Sequence, residues 1–400
     1  MRPDLMAGFP PSPDGVVDLS NWQEPDRLPW AFRHLREIIP TQPISAGTDP
    51  APLRAAATGL PNPQVLRLDG RQSTWEEVLA DTHTDAVMVL HDGAVVDERY
   101  FAGMTDTSRH LIMSVSKSLV GCVAGVLAGQ GRLDPAVPVT DYVPEMDGCG
   151  YRGAMVRDVL DMRTGIAFSE AYTDADSEVR AMERALGWAP LQPGDPRGGY
   201  AFLRTIGTSG PHGGRFTYRS ADTDMLGWVC ERAAGVRMAD LISTLIWRPM
   251  GAEFDADITC DPVGIAVHDG GVSLTLRDLA RFGRMLADGG RVGDRQVIPA
   301  GWLADAYDPG AEVRDAFART DNVTMLPGGW YRNQFWFYSA GDPVLLCLGI
   351  HGQLVYVDRV ARVVVAKLSS WPDPQHAGYL GDTLRGCAAL ARALSGSDRV

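Results

Sequence analysis

The chain has 400 residues, 45% of them hydrophobic, with 44 Gly, 27 Pro and a formal net charge of −13. This is the composition of a folded, loop-rich protein with one large domain or two interleaved ones, and it excludes fibrous and disordered classes. The acidic balance argues against nucleic acid or an anionic membrane as a partner, and no run of 18 apolar residues is present to span a bilayer.

The first ten residues, Met1 to Pro10, hold one Arg and no apolar stretch, so no secretory signal is expected and a cytoplasmic location follows. Residues 1–82 are rich in Pro and Asp and weakly periodic. They are predicted as an arm with short helices that wraps the body, with a helical turn or two within 28–38. From Asp85 the pattern changes. Ala86 to Leu90 reads as a buried strand, Asp92-Gly93 as a hairpin turn and Ala94 to Val96 as the start of the return strand. Past Arg109 the chain reaches Met113-Ser114-Val115-Ser116-Lys117, then a helical stretch of small residues that Gly129 and Gly131 stop.

Residues 132–260 hold amphipathic segments broken by Gly and Pro, with helices expected at Val156 to Met162 and Ser220 to Ala234. Val344 to Leu348, Leu354 to Val357 and Val363 to Ala366 are apolar runs that read as strands, and a last helix covers 377–394. Strands near both ends with helices between them predict an α+β fold. Residues 83–115 and 265–400 are expected to form an α/β sandwich domain with an antiparallel sheet and 116–264 an inserted all-α domain, with a cleft between them. Cys122, Cys149, Cys230, Cys260, Cys347 and Cys387 form neither a CxxC pair nor a zinc spacing, so reduced thiols are expected.

Of the 37 basic residues only Lys117 and Lys367 are lysine. Lys117 lies three residues after Ser114, and residues three apart share a helix face. A serine hydroxyl is a weak nucleophile until a base takes its proton. A lysine amine serves if burial and neighbouring cations depress its pKa, whereas an arginine stays protonated. The helix N-terminus also offers N–H groups to an oxyanion. The alternative is a surface lysine near a serine. Lys367, with no serine three residues before it, reads as structural. Further on, Tyr218-Arg219-Ser220 precedes a helix and can put a phenol and a hydroxyl on one cleft wall, where the phenol would shuttle a proton to a leaving group. A buried tyrosine with a satisfied hydroxyl is the bland reading.

Ser114-Val115-Ser116-Lys117 followed by Tyr218-Arg219-Ser220 resembles the serine β-lactamases, penicillin-binding proteins and related esterases. Asn21-Trp22-Gln23-Glu24-Pro25, the stretch from Arg109 to Ser118, Gly349-Ile350-His351-Gly352-Gln353 and the stretch from Lys367 to Pro374 are similar to the 6-aminohexanoate-dimer hydrolases. These are amidases of nylon oligomers that also cleave short carboxylic esters. The resemblance spans roughly residues 20–395. It implies a class C β-lactamase-like (DD-peptidase) fold, a small-molecule substrate, no metal or organic cofactor, and allows a homodimer.

By the same resemblance Ser114 is acylated, Lys117 is its base and Tyr218 the proton relay. The Ser114 N–H forms half of an oxyanion hole, and a backbone N–H between Leu348 and His351 the other half. Tyr172 matches a tyrosine that contacts the scissile amide, or packs as a loop aromatic. Glu183 is either a cleft carboxylate for a substrate ammonium or a solvated helix-face residue. Asp269 stands where the family shows Asn or His, and leaves the substrate open. Trp330, Phe335 and Trp336 are candidates for an apolar slot, or for packing. The Lys-[Thr/Ser]-Gly motif of the wider superfamily is absent and His351-Gly352 stands nearby, which argues against β-lactam turnover. The leading expectation is an amide hydrolase. An esterase of the same fold with little amidase activity, and a penicillin-binding sensor that acylates without turnover, are the alternatives.

Overall fold

The computed structural model describes residues 4–57, 59–339 and 341–396; the first three residues of the expected arm lie outside them. Val87 to Leu90 and Val363 to Ala366 are apolar at every position, the pattern of strands covered on both faces. They pair antiparallel at the heart of an eight-stranded sheet, with Val365 opposite Val89 and Lys367 opposite Val87. The strand order is Trp330–Arg332, Phe335–Ser339, Pro343–Gly349, Gln353–Asp358, Val363–Ser369, Thr84–His91, Ala94–Tyr100 and Arg54–Ala55. Only the last, from the arm, runs parallel to its neighbour.

Helix Leu276–Ala287 covers one face of this sheet, its Gly283 set against Val355 and Val364. Helix Ala377–Ser395 covers the other, where Cys387 faces Lys367 and Tyr356. Each Val or Leu these layers bury contributes about 1.5–3 kcal/mol, set against an ordering entropy of similar total size.

The segment between the sheet's two halves is largely helical, with Val115–Gly129 packed against Ser220–Ala234. Small residues on the first of these helices explain its close approach to the sheet. A Cβ at Gly121 would stand 2.5 Å from the Asn333 carbonyl oxygen, and one at Gly125 would stand 2.6 Å from the Trp302 indole. Ser118 Oγ donates to the Gln334 carbonyl at 2.9 Å along the same seam.

A second sheet differs from expectation. Thr41–Ile44, Ala256–Thr259, Val272–Thr275 and Arg109–Leu111 form it in that order. The arm therefore contributes a strand as well as short helices, and Pro43 is tolerated there because the strand lies at the sheet edge. No helix among the described residues is long and apolar enough to cross a membrane. The six cysteines are free thiols.

Candidate active site

Strand Arg109–Leu111 pairs with Val272–Thr275, and the Ile112 N–H donates to the Val272 carbonyl at 2.9 Å. Met113 then turns the chain with φ 47°, a left-handed conformation that costs a non-glycine residue energy and marks a constrained site. The turn leaves Ser114 as the N-cap of helix Val115–Gly129, at a cavity mouth. One helical turn on, Lys117 is buried, 1% exposed.

Its Nζ donates to Ser114 Oγ at 3.0 Å, Ser220 Oγ at 3.0 Å and the Asp269 carbonyl at 2.7 Å. Three acceptors use all three N–H bonds of an ammonium. Asp269 Oδ2 adds an ion pair at 3.5 Å. Burial acts most strongly on Lys117 and lowers its pKa, but Tyr218, Asp269, Glu170 and Asp224 together outweigh burial and hold it above the ordinary value. The expected depression of Lys117 is thus reversed. Its surroundings are carboxyl groups and a phenol, not the cations that would have driven the proton off.

Tyr218 lies beside this pair. Lys117 Nζ sits 5.4 Å from its ring centroid, and its ring shares the wall of one cavity with Ser114. Burial raises the phenol pKa, with Lys117 and Ser114 opposing. Behind Lys117, Ser220 Oγ donates to Glu170 Oε1 at 2.6 Å, and the Ser220 N–H to Glu170 Oε2 at 2.9 Å. The Tyr172 hydroxyl donates to the same Oε1 at 2.7 Å. A continuous chain therefore runs Ser114, Lys117, Ser220, Glu170, Tyr172. Burial raises the Glu170 pKa against the pull of Lys117. It pushes Asp269 up to about 6, with Asp224 adding and Lys117 opposing.

Two cavities flank Ser114. One, of about 300 Å³, is apolar and lined by Tyr218, Met325, Trp336, Leu348, Ile350 and Trp371, with Ser114 in its wall. The other, of about 550 Å³, is the more polar of the two and is lined by Trp22, Gln23, Tyr172, Arg180, Glu183 and His351, among others. A throat of about 20 Å³ touches Ser114, Tyr172, Glu183, Asp269 and Ile350.

The remaining candidates divide. Trp336 lines the apolar cavity and stacks on Tyr218 with centroids 5.0 Å apart. Trp330 and Phe335 do not reach it. Alternation along the hairpin turns them to the other face, where Trp330 stacks on Phe337 at 4.9 Å and Phe335 is buried. Glu183 is neither solvated nor a free cleft carboxylate. It is buried, Arg180 Nη1 donates to its Oε2 at 2.6 Å, and burial pushes its pKa up to about 7 despite that partner. His351 is held by an Nδ1–H bond to the Trp371 carbonyl at 2.6 Å, and burial lowers its pKa to about 4, so the ring is neutral at pH 7 and supplies no cation.

Leu348 lies beside Ser114 in the apolar cavity, in the last residues of strand Pro343–Gly349. Lys367 lies in the main sheet, fully buried, donating to the Thr82 carbonyl and Ser369 Oγ. The sequence reading missed Glu170 and Arg180. Glu170 sits in an aperiodic loop and carries no local signal. Arg180 stands three residues before Glu183 on helix Glu178–Ala185, a spacing at which charged pairs meet.

The beta-lactamase family profile matches residues 73–389. A 6-aminohexanoate-dimer hydrolase of Paenarthrobacter ureafaciens is 42% identical over 371 residues, covering 92% of each chain. A solved Bacillus anthracis chain, proposed to be a 6-aminohexanoate-dimer hydrolase, superposes with a TM-score of 0.86 at 24% identity, covering 98% of this chain and 100% of its own. A family VIII carboxylesterase gives a TM-score of 0.59 at 18% identity over 80% of this chain and 96% of its own.

Proposed function

The chain belongs to the beta-lactamase family, and from that premise we propose a serine hydrolase that cleaves linear amides of ω-amino acids through an acyl-enzyme on Ser114. The substrates are of the 6-aminohexanoate-dimer type, as in the relative at 42% identity, and short carboxylic esters are a side activity. The observation that carries this reading is the 3.0 Å contact between Ser114 Oγ and a buried Lys117 at a helix N-terminus, with the Tyr218 ring 5.4 Å from the same lysine. The reading takes residues 83–115 and 265–400 as an α/β part, 116–264 as a helical part with the cleft between them, and the arm of 1–82 as a wall of the polar cavity.

In the reaction Ser114 Oγ bonds to the amide carbon, and its proton passes to the Lys117–Tyr218 pair. A pair holding both the lysine and the tyrosine proton has no room for another. The reactive form is the pair after one proton has left, and its titration belongs to both residues together. The oxyanion is received by the Ser114 N–H and a backbone N–H between Leu348 and His351. Tyr218 hands the proton to the leaving nitrogen, the C–N bond breaks, and water then cleaves the acyl ester. Tyr172, Glu183, Asp269, Trp336 and His351 shape the space around the two halves of the substrate.

The test is hydrolysis of the linear 6-aminohexanoate dimer and of a short p-nitrophenyl ester by wild type and Ser114→Ala. Both substrates are cleaved by wild type, and the variant loses about a thousandfold or more on each. Activity that survives in the variant overturns the mechanism. Ester cleavage alone makes the protein a carboxylesterase with little amidase activity, a second reading favoured by the Arg180–Glu183 bond, which leaves no free anion for a substrate ammonium.

A further inference from the structure

The charged groups that line the polar cavity cancel one another. Arg180 Nη1 donates to Glu183 Oε2 at 2.6 Å. Arg184 Nε donates to Asp195 Oδ2 at 2.7 Å, and its Nη2 to Oδ1 at 3.2 Å. His351 is neutral at pH 7. In the throat, Asp269 faces Lys117 at 3.5 Å. Arg180 is itself clamped. Its Nε and Nη2 donate to the Tyr172 carbonyl at 2.9 and 2.5 Å, its Nη1 reaches Gln23 Oε1 at 3.4 Å, and its guanidinium lies 5.7 Å from the Tyr172 ring centroid. An ammonium entering this space would have to take Glu183 from a partner already in place, whereas a neutral amide need break no ion pair to enter.

The orientation of a substrate follows from Tyr218. It lines the apolar cavity and not the polar one. A relay that delivers a proton to the leaving nitrogen puts the amine half on its own side. The acyl half then runs through the throat between Glu183 and Asp269 into the polar cavity, where about 550 Å³ leaves room for more than one chain end.

We propose that Arg180 sets the acyl-side specificity by neutralising Glu183, so that the polar cavity accepts an uncharged amide, as in the next link of an oligoamide, in preference to a free ammonium. The proposal rests on the amidase reading above, with the acyl group transferred to Ser114.

Two anilides that share a leaving group test it: 6-aminohexanoyl p-nitroanilide and its N-acetyl form. Wild type prefers the acetylated substrate in kcat/KM by tenfold or more. Arg180→Gln lowers that ratio at least tenfold, because Glu183 is released to bind the ammonium. The double variant Arg180→Gln/Glu183→Gln regains the preference. Each ratio is taken within one protein, so a general loss of activity cancels. A wild-type preference for the free amine, or a ratio unmoved by Arg180→Gln, overturns the proposal.

If Arg180→Gln does not fold, wild type alone decides. N-hexylacetamide then inhibits ester hydrolysis at least tenfold more strongly than hexylammonium, and the reverse order overturns the assignment. If neither anilide is cleaved, the amidase reading has failed, and the same inhibition order still reads the charge preference of the cavity.

Discussion

At Asp269 the backbone and the side chain of one residue act on Lys117 in opposite ways. Its backbone carbonyl, 2.7 Å from Lys117 Nζ, holds the amine in place for Ser114. Its side chain, 3.5 Å away, favours the ammonium and so keeps Lys117 protonated. Asp269→Asn retains the first contact and removes the charge. Lys117 then loses an anionic neighbour that raises its pKa, and the Lys117–Tyr218 pair gives up its proton at lower pH. The acid limb of the kcat/KM profile is therefore expected to shift to lower pH, with turnover gained below the wild-type limb. A limb that stays where it was assigns the titration to another group and removes Asp269 from the account.

The helix Val115–Gly129 delivers both Ser114 and Lys117, so whatever sets its position sets the site. Gly121 touches the Asn333–Gln334 turn, with the Asn333 carbonyl 2.5 Å and Gln334 Cβ 2.8 Å from where a Cβ would lie. The nearest of these atoms is a backbone oxygen, which cannot swing aside as a side-chain end could. Gly121→Ala is expected to destabilise by about 1–3 kcal/mol, read as a lower denaturation midpoint, with activity falling as the helix is displaced. A midpoint equal to wild type, or above it, would show that the seam yields.

This helix was legible in the sequence because its information is local. A run of small residues, two glycine stops and a lysine one turn after a serine all lie within 18 residues, 114–131. Strand Thr41–Ile44 was not legible. Its four residues include Gln and Pro, and it exists because Ala256–Thr259 pairs with it across more than two hundred positions. The aromatic hairpin was half legible. Its strands were apparent, but four aromatics in the seven residues 330–336 do not say which face meets the cavity. Glu170 and the charge state of Lys117 were beyond local reading altogether, since both follow from side chains that meet only after the loop at 170, the Ser220 helix and the Asp269 turn converge.

Across the whole molecule, the arm, the helical segment and the sheet meet at the polar cavity, and Trp22 is where they lock. It is 1% exposed, donates Nε1–H to the Trp188 carbonyl at 2.8 Å, and packs edge-on against Trp188 at 5.5 Å and against Phe32 at 6.4 Å. Phe32 in turn meets His351 at 5.5 Å, and His351 is fixed to the Trp371 carbonyl. A residue from the first 30 of the chain is thereby tied to the helical segment and, through two aromatic rings, to the far end of the sheet. Truncation to alanine removes a large buried ring and leaves the Trp188 carbonyl without its donor, so Trp22→Ala is expected to cost about 3–5 kcal/mol. Because Trp22 also walls the polar cavity, the loss in kcat/KM should be greater for long acyl chains than for acetyl esters. Equal losses on both would make the arm a general brace for the fold, with no part in substrate selection. A greater loss on long chains would mean that the arm, folded over the site from the opposite end of the sequence, completes the pocket that reads the acyl group.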